Sequence, residues 1–126
     1  LENPKTLFVS SFILSNNILN LKKESNNYSC CLGNINVSTL KYKKDLKFIS
    51  ISPKFISIEL SIDGDAKIVS KEFLGESFIY KISLMEETIR VRTKINDNFN
   101  IGDKYFLNID KDCFCFLYPG AHKLFI

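Results

Sequence analysis

Phe55-Ile56-Ser57-Ile58-Glu59-Leu60-Ser61-Ile62, followed by Asp63-Gly64, is the stretch that decides the fold class. Ile56, Ile58, Leu60 and Ile62 recur at every second position. Period two is the strand period, because successive side chains of an extended chain point to opposite faces. A helix would need spacings of three and four. Asp63-Gly64 then supplies a tight-turn dipeptide before the next apolar run.

The same pattern continues on both sides. Phe48 to Ile51 forms a run that stops before Pro53, and Ile68 to Leu74 forms another that Gly75-Glu76 breaks. Phe78, Tyr80, Ile82 and Leu84 make the next inward set, with Lys81 and Ser83 facing out. A hairpin turn is expected at Glu86-Glu87. Beyond it Ile89, Val91 and Thr93 alternate with Arg90 and Arg92. Asn96-Asp97-Asn98 reads as a loop and Gly102-Asp103 as a turn. Tyr105, Leu107 and Ile109 form a strand face, and Cys113 to Tyr118 is the last apolar run before Pro119-Gly120. In the first half, Tyr28 to Leu32 and Ile35 to Leu40 suggest a hairpin about Gly33-Asn34. Only Pro4 to Ile13 reads as a helix, with Pro in its first turn and Leu7, Phe8 and Phe12 at helical spacing. About eight or nine short strands at close spacing, with polar turns, predict an all-β antiparallel barrel or sandwich. The lack of long helical patterns argues against a doubly wound parallel sheet.

Composition agrees with one globular unit. The chain has 126 residues, 45% hydrophobic and 25% charged, the ordinary balance for a folded domain. Its longest uncharged stretch that could pass as apolar, Leu7 to Leu14, is far shorter than the ~20 residues a membrane-spanning helix needs. The net charge of +3 comes from 17 basic and 14 acidic residues, but only Arg90 and Arg92 are arginine. Nucleic-acid readers favour the flat, forked donors of Arg. The excess of Lys, with abundant Asn and Ile, resembles the product of AT-rich coding sequence, so it says little about partners.

The four cysteines fall as Cys30-Cys31 and Cys113-x-Cys115, and His122 is the single histidine. Neither pair has zinc-knuckle spacing. Leu1-Glu2-Asn3-Pro4 has no basic start and no apolar core after it, so no signal peptide is expected. Reduced thiols in the cytoplasm fit best. The missing initiator Met suggests a fragment cut from a longer chain.

Few residues invite chemistry. The five glycines are dispersed one per turn, with no clustered phosphate-cradling loop. His122 stands near the end of the chain, where an exposed polar residue is expected more than a catalytic base. The carboxylate pairs Asp63 with Asp65, Glu86 with Glu87, and Asp110 with Asp112 all fall in turns, where solvated acids are common. Cys113 and Cys115 share one strand face and read as core filler. Arg90 and Arg92 share an outward face, either a solvated surface or a docking patch for an anion or partner carboxylate.

Five motifs in order carry a resemblance. Pro4-x-x-x-Phe8-Val9-Ser10-Ser11-Phe12-Ile13-x-x-x-Asn17-Ile18-Leu19 resembles the P-x-x-x-F-V-A-x-F-I-G-x-x-N-x-L segment of bacterial ABC-importer ATPase subunits. Ile49-Ser50-Ile51-Ser52-Pro53-Lys54 is similar to the family's strand bearing R-P-E. Gly64-x-Ala66-x-Ile68-x-x-x-Glu72-Phe73-Leu74-Gly75-Glu76 resembles its G-x-V-x-x-x-E-x-L-G stretch. Ile101-Gly102-Asp103-Lys104 with Asn108-Ile109-Asp110 resembles its V-G-D-x-V-x-L-x-I-D ending, and Phe116-Leu117-Tyr118 sits where L-F-D is often found. Leu14 replaces a glycine of the pattern, and Ser52 and Lys54 replace the Arg and Glu of R-P-E. From that tripeptide only the turn at Pro53 is carried over.

The resemblance implies a transport-associated OB-like (TOBE) domain, an OB-like or MOP-like antiparallel β-barrel with a short N-terminal helix. Residues 1–14 would be the helical linker from an upstream ATPase domain, and 15–126 the β domain. The implied function is non-catalytic: a regulatory and dimerisation domain tuning ATP-driven uptake of a sugar, polyamine, iron or inorganic anion. No cofactor is expected on this chain, ATP and Mg belonging to the parent ATPase domain. The implied partners are a second copy, the permease subunits, and a small-molecule or protein regulator, on the cytoplasmic face of the membrane. Phe73, Leu74, Gly75, Arg90 and Arg92 are the expected dimer or partner contacts. Two alternatives stay open. One is an OB-fold binder of single-stranded nucleic acid, suggested by 13% aromatic content among lysines. The other is a sensor of a small oxyanion or sugar.

Overall fold

The computed structural model describes Thr6, residues 15–41 and residues 45–126, and among these the chain forms twelve strands and one 3-10 turn. Every strand pairing is antiparallel, so the all-β reading holds. The helix read over Pro4 to Ile13, and with it the linker 1–14, lies outside the described residues (Thr6 aside).

Two compact units make up the described chain: the residues up to Ser52 together with Asp110–Ile126, and Pro53–Ile109. The first holds two sheets. One has the order β1 (Asn17–Asn20), β5 (Phe48–Ile51), β11 (Phe114–Tyr118), β12 (His122–Phe125). The other is β2 (Lys22–Glu24), β3 (Asn27–Cys30), β4 (Gly33–Ile35). Alternation fails in the central strands because both faces are covered. Ile49, Ser50 and Ile51 are all buried in β5, as are Cys115 to Tyr118 in β11. Such strands read as unbroken apolar runs. Tyr28 of β3 is buried, and its hydroxyl accepts the N–H of Leu46 at 3.3 Å. The hairpin expected about Gly33-Asn34 exists, but its turn is Cys31-Leu32, with Tyr28 opposite Ile35 and Cys30 opposite Gly33.

The second unit is one five-stranded sheet. Its strands are β6 (Ile56–Leu60), β7 (Ala66–Phe73), β8 (Ser77–Leu84), β9 (Glu87–Lys94) and β10 (Lys104–Ile109), in the order β6-β10-β7-β8-β9. Three consecutive strands form a meander and the fourth returns beside the first, which is the Greek-key order. Its inward face is built as the alternation predicts. Ala66, Ile68, Tyr80, Ile82, Leu84, Ile89, Val91, Tyr105 and Leu107 are buried, while Lys81, Ser83, Arg90 and Arg92 are exposed.

The deciding stretch obeys period two but buries only its start. Ile56 is 2% exposed, whereas Leu60 is 67% and Ile62 88% exposed. The strand ends at Leu60, and Ile62 falls in the turn that follows. Asp63-Gly64 is not a hairpin turn, since β10 lies between β6 and β7. Gly64 serves a different need: a Cβ there would meet the carbonyl oxygen of Tyr105 at 2.2 Å, so only glycine lets these backbones approach.

No sheet closes into the barrel expected from the resemblance. The two edge strands of the second unit, β6 and β9, approach one another but share no ladder. Beside β9 also runs the 3-10 turn Pro53–Phe55, whose proline has no N–H to donate to a ladder.

Candidate functional site

The hairpin between β7 and β8 presents the first expected contact residues. Phe73 pairs with Phe78 across the strands, their ring centroids 5.4 Å apart, and the Leu74 N–H donates to the Ser77 carbonyl at 2.8 Å. The turn between them runs through Gly75 at φ +92°, a conformation that glycine adopts without steric cost. The result is a rigid tip with Phe73 56% and Leu74 44% exposed. Arg92 reaches the same end of the sheet, its Nε donating to the Ser77 hydroxyl at 3.1 Å. Arg90 lies opposite Lys81, further from the tip. Phe73 to Gly75 and Arg92 therefore belong to one end of the sheet, and Arg90 does not join them.

Phe73 and Phe78 continue into an aromatic row on the inward face. Phe78 contacts Tyr80, Tyr80 contacts Phe99, and Phe99 contacts Tyr105, with centroids 5.6–6.0 Å apart. The Lys71 ammonium lies over the Phe78 ring at 4.3 Å and bonds the Asn98 side-chain oxygen. Both tyrosine hydroxyls clamp the loop before β10. Tyr80 accepts from Phe99 N–H at 3.0 Å and donates to the Asp97 carbonyl at 3.3 Å. Tyr105 accepts from, and donates to, the backbone of Asn100 at 2.9 Å each. Tyr80 and Tyr105 are fully buried, so these rings hold the fold and are closed to a stacking base. Sequence alternation identified both as inward residues; the polar loop they grip carried no periodic signal.

The residues weighed for chemistry sit apart from this tip. His122 is not an exposed tail residue. It is half-buried in β12 opposite Leu117, because the chain turns back at Pro119-Gly120 and adds a strand. Asp63, Asp65, Glu86 and Asp112 are exposed. Cys113 and Cys115 are buried, as expected, and Cys113 Sγ donates to the Asp110 carbonyl at 3.0 Å. Burial, then the neighbouring Cys113 and Cys30, push the Cys115 thiol up to about 12. Burial and then Asp110 raise Cys113 as well. Thiols held protonated are poor nucleophiles and poor metal ligands. Among the described residues, no three His, Cys, Asp or Glu side chains converge as a metal site, and no helix is long and apolar enough to cross a membrane.

The chain matches no family model and no curated protein.

One further surface was not foreseen from sequence. Leu60, Ser61, Ile62, Gly102, Asp103 and Lys104 line an open groove of 470 Å³ where β6 ends and β10 begins. The exposure of Leu60 and Ile62 is its cause: the apolar period runs past the end of the sheet that could cover it.

Proposed function

We propose that this chain is the non-catalytic C-terminal extension of an ABC-importer ATPase subunit, an OB-like appendage that holds and tunes the motor through contacts with protein partners. The observation that carries the reading is the second unit's Greek-key sheet of five strands with its edge strands brought together. A partly open five-stranded Greek-key barrel is the OB architecture, which is what the ordered motifs imply. The turn at Pro53–Phe55 directly after β5 supports the same alignment, as does the hairpin in which Glu72-Phe73-Leu74-Gly75 ends one strand.

In this reading the tip Phe73-Leu74-Gly75, with Arg92 braced against Ser77, is the contact with a second copy or a regulator. The nucleotide chemistry belongs to a domain upstream of Leu1, the permease subunits are reached through that domain, and the chain works at the cytoplasmic face of the membrane. The reading frame upstream of Leu1 tests this directly: a Walker A motif within the same open frame is expected. An initiator codon immediately before Leu1, with no ATPase attached, would refute it, as would saturable binding of Mg-ATP to this chain in calorimetry.

A further inference from the structure

β12 is an open edge of the four-stranded sheet in the first unit, and its register decides what that edge offers. The Ile126 N–H donates to the Cys113 carbonyl at 2.9 Å. The hydrogen-bonded pairs of this antiparallel ladder are therefore Ile126 with Cys113, Leu124 with Cys115 and His122 with Leu117. Alternation then turns the N–H and C=O of Lys123 and Phe125 away from β11. No backbone group among the described residues meets them there. Both residues are exposed, Phe125 at 73%. Edge strands are normally guarded by projecting charge. β2, an edge of the three-stranded sheet, is guarded in this way, with Lys22, Lys23 and Glu24 all exposed. On β12 the lysine does not project. Its ammonium lies over the Phe114 ring at 4.5 Å and the Phe125 ring at 5.1 Å, and those two rings pair across the strands.

We infer that β12 pairs with β12 of a second copy, antiparallel about a two-fold axis at Leu124. Centred there, Lys123 falls opposite the partner's Phe125, and Phe125 opposite the partner's Lys123. Every outward N–H and C=O of these residues then finds its complement. Directly opposed residues have Cβ atoms ~5 Å apart, so each ammonium comes within the ~6 Å at which a cation is attracted to a ring face. The stack of Lys123 on Phe114 and Phe125 within one chain is thereby continued across the edge. Centring on Lys123 instead would set two ammonium groups face to face. A two-fold contact requires a surface complementary to itself, and this one is. A foreign strand would need a cation and a ring at the same alternate positions, which β12 already carries. The pairing covers one strand of four residues, less than the ~1,200 Å² of a stable interface. The dimer is accordingly weak, with a dissociation constant on the order of 100 µM. The inference rests on this edge alone, and on neither the importer reading nor the Phe73-Leu74 tip.

Sedimentation equilibrium on the whole chain, from about 10 µM to about 1 mM, is the test. A monomer–dimer equilibrium is expected across that range. Phe125→Lys, at an exposed position, sets ammonium against ammonium on both sides of the axis. It should weaken the dimer about tenfold, roughly threefold for each lost contact of cation with ring. Adding Lys123→Glu to that variant places a carboxylate opposite each new ammonium and should restore the dimer to within about threefold of the parent. Lys123→Pro removes an outward N–H, the place on an edge strand where proline is tolerated, and should also abolish pairing. If it shifts the urea midpoint, Phe125→Lys and its rescue carry the test alone. Phe73→Ser should leave the equilibrium unchanged, which separates this contact from the one proposed at the tip. A chain that stays monomeric throughout, a dimer indifferent to Phe125→Lys, no rescue by Lys123→Glu, or a dimer lost in Phe73→Ser would each overturn the pairing.

Discussion

Replacing Tyr105 by Phe removes one oxygen from a buried side chain, and the structure says what that oxygen does. It accepts the Asn100 N–H and donates to the Asn100 carbonyl, both at 2.9 Å. A net ~1 kcal/mol per hydrogen bond gives about 2 kcal/mol. Asn100 is exposed, so water can reach part of the freed backbone, and about 1–1.5 kcal/mol is the expected cost. Tyr80→Phe should cost about 1 kcal/mol, because its bond to Asp97 is long at 3.3 Å while that from Phe99 is 3.0 Å. Both hydroxyls hold the same loop, and a loop already loosened profits less from its second tie. The double variant should therefore fall short of the sum by about 0.5 kcal/mol. Urea unfolding is the assay. With a slope near ~1.5 kcal/mol/M, Tyr105→Phe should lower the midpoint by about 0.8 M without changing the slope. A midpoint within about 0.2 M of the parent for both single variants would refute the clamp, leaving the rings as packing alone.

Two further expectations follow from the backbone and from the thiols. Leu84 pairs with Glu87 around the two-residue turn Met85-Glu86, whose φ values are +49° and +65°; left-handed conformations cost non-glycine residues roughly 1–2 kcal/mol each. Asn-Gly suits such a turn, so Met85→Asn with Glu86→Gly should stabilise by about 1 kcal/mol and raise Tm by roughly 3–5 °C, and an unchanged or lowered Tm in calorimetry would count against this turn geometry. Cys115 is held protonated when folded, up to about pH 12, whereas the unfolded thiol ionises near ~8.5. The unfolded chain thus sheds the proton first. The stability contributed by the neutral buried thiol is complete below about pH 8.5 and falls above it, by up to ~1.4 kcal/mol per pH unit. Urea midpoints measured from neutral pH to about pH 10 should drop more steeply for the parent than for Cys115→Ala; parallel profiles would contradict it.

Local alternation made much of this fold legible. The inward sets of β8, β9 and β10 could be read directly, because one face of each is buried and the other is wet, and the hydrophobic period reports that difference. The strands that escaped reading are short or covered on both sides. β2, Lys22-Lys23-Glu24, is exposed throughout and offers no apolar residue to count. β12 lies beyond Pro119-Gly120, which the pattern reads as the end of the last apolar run, whereas the turn there sets it beside β11. The Greek-key order was out of reach for a different reason: period two says that a strand exists and nothing about which strand lies next to it. Asp63-Gly64 shows the cost of that gap. Its glycine reads as a turn signal, but its physical role is the close approach to the Tyr105 backbone, a residue 41 positions further along the chain and invisible to any local pattern.

The candidate surfaces divide along the same line. Exposure of Phe73 and Leu74 could be anticipated because they stand where a strand meets a Gly-containing turn, and an apolar residue at a turn has no sheet to cover it. Arg90 and Arg92 could be placed outward by parity. What parity could not supply is their company. Lys67 and Lys104 come from strands separated by two others in sequence, and only the returning strand β10 brings them into one row. A row assembled by topology has no linear motif: Lys67 and Lys104 stand 37 positions apart in the chain and meet only through the pairing of β7 with β10.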